Sequence, residues 1–570
     1  MINFGKDVFG DYENAALINY DSAEGLGWVP YEGLGTTPVR GVLKANLYRD
    51  GKLSQLYSGE ENHTLVVAAT RLGKTTGYVI PTILSNAKRG DRRSMIISDP
   101  KGELYRHTSA ALREAGYKVL LMNFRDYNHS ECWNMLTPIY RKYQKAYAVY
   151  DEVGVADTKD GPRSVFRGKV YKTRKALDRD LSTIVRMAVD DVGKDIDDLA
   201  AMFIATVNTR DPYWEDTARD VLKAFIWAML EDSREESLNA RDDGDFEKQL
   251  ITEDTFSFNT ILSILAQFRD DRDSWYDDGG YFSKRPENSR ARLLAKNSFI
   301  ENAPNTRKCV ISSFNAKLAV FRDVGVRLIT GCNSFDMEDI VREPVAIFID
   351  YRDEIKAHYQ IISLFVQHAY KLLIERANRS PDGRLEVPFY FVLDEFGNFP
   401  AINEFDTTIS ACAGRNIFFI LIIQSYAQLA NVYGKEVSEI ILDNLNVKVF
   451  MGSNNYSTLE QFSRECGERT RISPLSALNG RGDDIDNYQL ETIRLVTKSR
   501  LSCLGEGECI VTEANSGYVL FSKLTRYYRC PEFTALPAAS EHDYVSSVNP
   551  FDEKYIFTLK KSRPRRGWDI

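Results

Sequence analysis

Two half-sites, set 320 positions apart, limit the fold of this 570-residue chain more than anything else in it. An apolar run, Leu65–Ala69, passes directly into Thr70-Arg71-Leu72-Gly73-Lys74-Thr75-Thr76. A second run, Phe389–Leu393, passes directly into Asp394 and Glu395. The first is the end of a P-loop. Backbone N–H groups from Thr70 through Gly73 to Thr76 wrap a phosphate, Lys74 reaches the β and γ phosphates of ATP, and Thr75 holds Mg²⁺. The second is a strand tip bearing two carboxylates. There Asp394 joins the Mg²⁺ shell, and Glu395 orients and deprotonates the attacking water. Each motif alone is common, but one metal-assisted reaction requires both. The chain must therefore leave its site, build something large, and return to complete it.

The strands that would carry such a site are legible. Met95–Ser98, Lys118–Asn123, Val345–Asp350, Ile417–Ile423 and Val447–Gly452 are short runs rich in Val, Ile and Phe, the pattern of strands buried on both faces. Helix-like sequence follows most of them, as at His358–Glu375 and Ser457–Glu465. Strands alternating with helices predict an α/β fold with a doubly wound parallel sheet. Between Asn134 and Lys308 the strand pattern stops. Ala218–Glu231 and Phe256–Phe268 instead show helical spacing, with breaks at Arg241–Asp245 and Asp270–Gly280. The expected division is a loop-rich or β cap over 1–60, a discontinuous nucleotide-binding domain over 61–135 and 310–535, an all-helical insert over 136–309, and a flexible tail over 536–570 that includes the basic run Lys560–Arg566.

Composition narrows the function. The net charge is −8, which excludes a uniformly basic nucleic-acid coat but not a locally basic surface. The eight cysteines are scattered, with Cys503 and Cys509 the closest pair, and there is neither a CxxC nor an HExxH, so structural zinc and a disulfide scaffold are not expected. Apolar runs such as Ile417–Ile423 and Val221–Leu230 fall short of the ~20 residues a bilayer helix needs, and the N-terminal stretch around Lys6, Asp7 and Asp11 has no signal-peptide core. A cytoplasmic location is expected.

Two more polar residues stand where the same chemistry can use them. Gln424 ends the strand at Ile423 and can sense the γ-phosphate or the water; the alternative is a plain strand-end amide. Arg415, after Gly414, can act in trans as an arginine finger on the transferring phosphoryl group; the alternative is a helix-terminal arginine facing the dipole.

The chain resembles the conjugative coupling proteins of type IV secretion, the TraG-like DNA-pumping ATPases. The resemblance is carried by Ala68–Thr75, DPKGEL at Asp99–Leu104, NSFDM at Asn333–Met337, VLDEFGNFP at Val392–Pro400, GRN at Gly414–Asn416 and IIQSYAQLANVYG at Ile422–Gly434. It covers about two thirds of the chain and implies a RecA-like motor domain interrupted by an all-helical domain, assembled as a homo-hexamer. It also implies nucleotide roles for Lys74, Thr75, Asp394 and Glu395, and a finger role for Arg415. DNA, a relaxase with accessory transfer proteins, and the subunits of a secretion channel are the implied partners. Two departures stand out. Ala68 replaces the first glycine of the P-loop, and the transmembrane helices usual in the family are not seen, so an anchor is removed, supplied by another subunit, or dispensed with; when assembled, the protein would sit at the cytoplasmic face of the membrane.

Three functions compete: a DNA-translocating ATPase coupling a relaxase–DNA substrate to the channel, an ATP-switched adaptor recruiting protein cargo through the insert, and a motor of the FtsK or HerA kind. The acidic groups Asp190, Asp191, Asp195, Asp197 and Asp198, and Asp242, Asp243 and Asp245, make the insert a candidate dock for basic cargo.

Overall fold

The computed structural model describes residues 16–20, 28–32, 41–88, 90, 92–158, 161–204, 212–240, 248–270, 280–352, 354–474 and 488–558. The chain divides into two compact units, Met1–His129 with Asp336–Tyr544 and Ser130–Phe335 with Val545–Ile570. The second is interposed in sequence between the halves of the first, as the separated half-sites demand.

The first unit is built on ten strands: β1 Ala16–Asn19, β2 Thr64–Ala68, β3 Met95–Asp99, β4 Lys118–Asn123, β5 Val345–Asp350, β6 Phe389–Leu393, β7 Ile417–Ile423, β8 Val447–Gly452, β9 Glu508–Glu513 and β10 Tyr518–Lys523. Their order across the sheet is β1-β10-β9-β8-β2-β7-β6-β3-β5-β4. The pairings from β8 through β4 are all parallel. Every residue of β2, β3, β5, β6 and β7 is buried, which is why these strands read as unbroken apolar runs. Parallel pairing also aligns their C-terminal ends along one edge, and that edge carries the site.

Three strands of this sheet escaped the sequence. β9 and β10 form an antiparallel hairpin on β8, and β1 adds to β10 in parallel. They are only partly buried, so polar residues interrupt the pattern that marks the central strands. Within the segment expected to be a loop-rich or β cap, Val29–Glu32, Leu43–Arg49 and Lys52–Tyr57 form a separate antiparallel sheet. Its tight hairpin turns on Asp50-Gly51, with φ of 50° and 77°, a pair of left-handed residues that matches the strand twist.

The second unit is mainly helical. Its helices include Thr137–Tyr147, Arg174–Phe203, Tyr213–Glu231, Phe258–Asp270 and Pro304–Lys317. It differs from the all-helical expectation in one respect: Gly154–Thr158, Gly161–Phe166 and Lys169–Val170 form a small antiparallel sheet. Its limits also differ from 136–309, because Pro304–Lys317 is one continuous helix and Val324–Gly331 belongs with it. Pro304–Lys317 buries only Val310 and Phe314, so its periodicity is too weak to mark a boundary. Residues 545–558, expected as tail, belong to this unit, where Tyr555 packs on Cys132 and Cys332.

The acidic stretch on Arg174–Phe203 is largely neutralised within its own unit. Asp190 pairs with Arg290, Asp191 and Asp195 with Lys142 at 2.7 and 2.6 Å, and Asp197 with Lys223 at 3.1 Å. Asp242, Asp243, Asp245 and the tail Lys560–Arg566 lie outside the described residues. Among the described residues no helix is long and apolar enough to cross a membrane.

Candidate nucleotide site

The P-loop joins β2 to a helical segment that begins at Thr75 and continues as the helix Ile80–Lys88. Its turn uses left-handed backbone at Arg71 (φ 68°) and Gly73 (φ 86°). The glycine is the comfortable residue there, and the arginine stores local strain of the kind that clusters at ligand loops. Ala68, in place of the usual glycine, is a buried strand residue without positive φ, so its methyl costs the loop nothing. The loop is anchored from β8: Ala69 N–H donates to Gly452 O at 2.8 Å, and a Cβ on Gly452 would stand 2.8 Å from Leu72 Cδ1. Gly452 is a site residue that apolar patterning could not single out.

β7 lies between β2 and β6, so Gln424 at its tip reaches between the two half-sites. Lys74 makes an ion pair with Glu395 and lies 3.9 Å from Asp394 Oδ1. Thr75 Oγ1 donates to Asp394 Oδ2 at 3.4 Å. Gln424 Nε2 donates to Glu395 Oε2 at 3.0 Å. Lys74, Thr75, Asp394 and Glu395 are all buried. Five of the residues singled out by sequence thus converge on one spot. Thr76 Oγ1 only closes the loop onto Gly73 O at 3.4 Å, and Thr70 is exposed at its rim.

Glu395 sits at φ 51°, a left-handed conformation that turns the chain sharply after Asp394. Gly397 follows because Gln428 packs against it: a Cβ there would meet Gln428 Oε1 at 2.6 Å, while that same oxygen accepts the Gln424 N–H at 2.9 Å. The glycine of LDEFG and the second glutamine of QSYAQL are one contact.

The two carboxyl groups are pushed in opposite directions. Burial pushes the Asp394 carboxyl above its ordinary range, an effect that Lys74 opposes and Glu395 reinforces. Burial acts the same way on Glu395, but Lys74 outweighs it, aided by the hydrogen bond from Gln424, and the group is held below its ordinary range. The shift favours the ionised form of Glu395, the form that a general base requires. A hydroxyl and a buried carboxylate facing each other at 3.4 Å are a hard-oxygen pair that suits Mg²⁺.

Lys101 and Arg526 were not singled out by sequence. Lys101, within DPKGEL, stands 3.8 Å from Glu395 Oε1, and Arg526 Nε would lie 3.3 Å from a Cβ on Gly73. Arg415 is elsewhere. It precedes β7, at the opposite end from Gln424, and binds Asn378 Oδ1 at 3.1 Å and Ala411 O at 2.7 Å. Seven strand residues at ~3.3 Å each put it roughly 20 Å from this site.

Beside Asp394, β3 and β5 also end in aspartates. Asp99 and Asp350 are register partners, and Asp99 Oδ1 and Asp350 Oδ2 accept no hydrogen bond among the described residues. Burial pushes Asp99 up to about 7, against the N–H of Tyr105, and pushes Asp350 up to about 6, against Arg125. The folded state then holds protons that the unfolded chain has released, so this part of the stability declines as pH rises from the ordinary carboxylate range toward neutrality. Asp99→Asn stays neutral throughout. It should unfold at higher denaturant than wild type near pH ~8, with the gain shrinking toward pH ~5. An equal difference at both values would refute the burial argument.

The fold and the constellation of buried Lys74, Thr75, Asp394 and Glu395 with half-buried Gln424 define a RecA-like P-loop nucleotide-site protein. The chain belongs to the family of type IV secretory system conjugative DNA transfer proteins, whose model matches residues 18–547. It is 24% identical over 537 residues to the conjugal transfer protein TraG of Escherichia coli, covering 88% of this chain and 73% of that one. It is 24% identical over 424 residues to VirD4 of Agrobacterium fabrum, covering 73% of this chain and 51% of VirD4, so it spans about half the length of that relative. Among solved structures, the plasmid coupling protein TrwB in complex with the non-hydrolysable ATP analogue ADPNP shares the fold, with a TM-score of 0.55 at 12% identity over 96% of this chain and 99% of that one. The unbound coupling protein TrwBΔN70 gives 0.51 at 14% identity, covering 81% and 84%.

Proposed function

We propose that this protein is an ATP-hydrolysing coupling protein that links a relaxase–DNA substrate to a type IV secretion channel and helps drive the DNA through it. The observation that carries the reading is the convergence of Lys74, Thr75, Asp394, Glu395 and Gln424 in one buried site assembled from both halves of the chain. Lys74 binds the terminal phosphates. Thr75 and Asp394 hold Mg²⁺, which when bound neutralises triphosphate charge. Glu395 takes the proton of the attacking water, and Gln424 holds that carboxylate in place. Arg415 completes a neighbouring subunit's site in a homo-hexamer. The working location is the cytoplasmic face of the membrane, beside the channel subunits and accessory transfer proteins. The test is ATP turnover with and without single- and double-stranded DNA. Stimulation by DNA is expected. Turnover that ignores DNA and responds only to a protein substrate would replace the translocase with an ATP-switched adaptor.

A further inference from the structure

β3 and β5 end in Asp99 and Asp350, and β6 is followed directly by Asp394, so their C-terminal edge is acidic. Their opposite ends are basic. Ser94, Pro344 and Pro388, each immediately before one of these strands, line a cavity of about 360 Å³. Among the described residues five arginines line it too, Arg92, Arg342, Arg376, Arg379 and Arg384, and no lysine does. All five are exposed. Two are engaged locally, Arg342 with Glu338 at 2.6 Å and Arg379 with Glu375 at 3.5 Å. Of the two acids on the rim, Glu343 is turned to Lys118 at 3.0 Å and Glu386 has no ion pair among the described residues. Arg92, Arg376 and Arg384 likewise have none among the described residues. Arg384 lies close enough to Asp382 to help hold that carboxyl below its ordinary range, and the cavity still keeps an excess of guanidinium charge.

We propose that this arginine-lined cavity is a docking site for the phosphodiester backbone of a nucleic acid strand. The inference rests on the coupling-protein reading and adds a contact surface remote from the nucleotide site. A guanidinium offers a planar donor fork that grips a phosphate bidentately, whereas an ammonium acts as a point charge, and the exclusive use of arginine fits that geometry. The volume accommodates about one nucleotide unit. Phe389, the only aromatic on the wall among the described residues, is buried in the sheet and offers no platform for a base, so recognition is of backbone and not of sequence. The site also answers the charge problem: a chain at −8 can hold DNA where its positive charge is gathered.

The experiment is fluorescence anisotropy of the full chain with a labelled single-stranded oligonucleotide of mixed sequence, across a salt series. The triple variant Arg92→Gln, Arg376→Gln, Arg384→Gln should bind about tenfold or more weakly, with a salt slope shallower by about 1 for each arginine that meets a phosphate. Replacing the same three by lysine should restore only part of the affinity. ATP binding and the unfolding midpoint report that the fold is intact, and Arg384→Gln alone, on an exposed loop, serves if the triple variant does not fold. Equal affinity and slope in wild type and variants overturns the proposal. So does loss of binding to anionic lipid vesicles with oligonucleotide binding unchanged, or displacement of the oligonucleotide by inorganic phosphate alone at low millimolar concentration. A wild type that binds no oligonucleotide at all would instead sink the coupling-protein reading.

Discussion

Glu395→Gln should bind ATP at least as tightly as wild type while turning it over about 10²–10⁴-fold more slowly. Both halves follow from the ion pair with Lys74. On the proposed reading, the lysine that meets the triphosphate is the one paired with the carboxylate that activates water. On that reading, ATP would draw Lys74 away and leave Glu395 with Gln424, 3.0 Å away, and Lys101, 3.8 Å away. Glutamine at 395 removes the competitor for Lys74 and also removes the base. Lys74→Ala should fail differently. It loses affinity together with turnover, and it leaves Asp394 and Glu395 buried without their nearest cation, so its stability should fall as well. Nucleotide titration beside steady-state turnover separates the two variants. Equal turnover in wild type and Glu395→Gln would remove Glu395 from the base role.

The sheet could be read from sequence because parallel strands buried on both faces have no choice of composition. β4, β5, β6, β7 and β8 occupy the residues that their apolar runs mark, β3 is longer by one residue at its end, and β2 is shifted by one residue at both ends. The half-exposed strands β1, β9 and β10 could not be read, since their polar residues satisfy solvent on one side and erase the pattern. The same divide runs through the site. Lys74, Thr75, Asp394 and Glu395 announce themselves because phosphate and metal chemistry admits few residue types at a strand tip. Gly452, Gln428 and Arg526 act through a close approach that only the folded chain creates, and nothing in local sequence distinguishes Gly452 from any other strand-end glycine. Lys101 lies within DPKGEL, yet its approach to Glu395 depends on β3 and β6 being neighbours.

Arg415→Ala should cut turnover by about 10³-fold with ATP binding nearly intact. The argument is geometric. Arg415 lies at the opposite end of β7 from Gln424, and its guanidinium is tied to Asn378 and Ala411, so it cannot reach the triphosphate that Lys74 of its own chain would hold. An arginine serving catalysis from there must serve another subunit. Its present bonds are to one side-chain amide and one carbonyl, both exchangeable for a phosphate oxygen, and no carboxylate pins it among the described residues. In a ring of identical chains, each interface joins one chain's Lys74–Glu395 edge to its neighbour's Arg415 edge. Mixing Arg415→Ala with Glu395→Gln subunits, each inactive alone, then creates some interfaces with an intact Glu395 facing an intact Arg415, and partial turnover should return. Because only certain neighbour orders are productive, recovery should peak at intermediate mixing ratios and vanish at either extreme. A helix-terminal arginine acting only on its own dipole would show no such complementation. If no mixture regains activity, and sedimentation with ATP and DNA finds only monomer, the arginine does not act in trans.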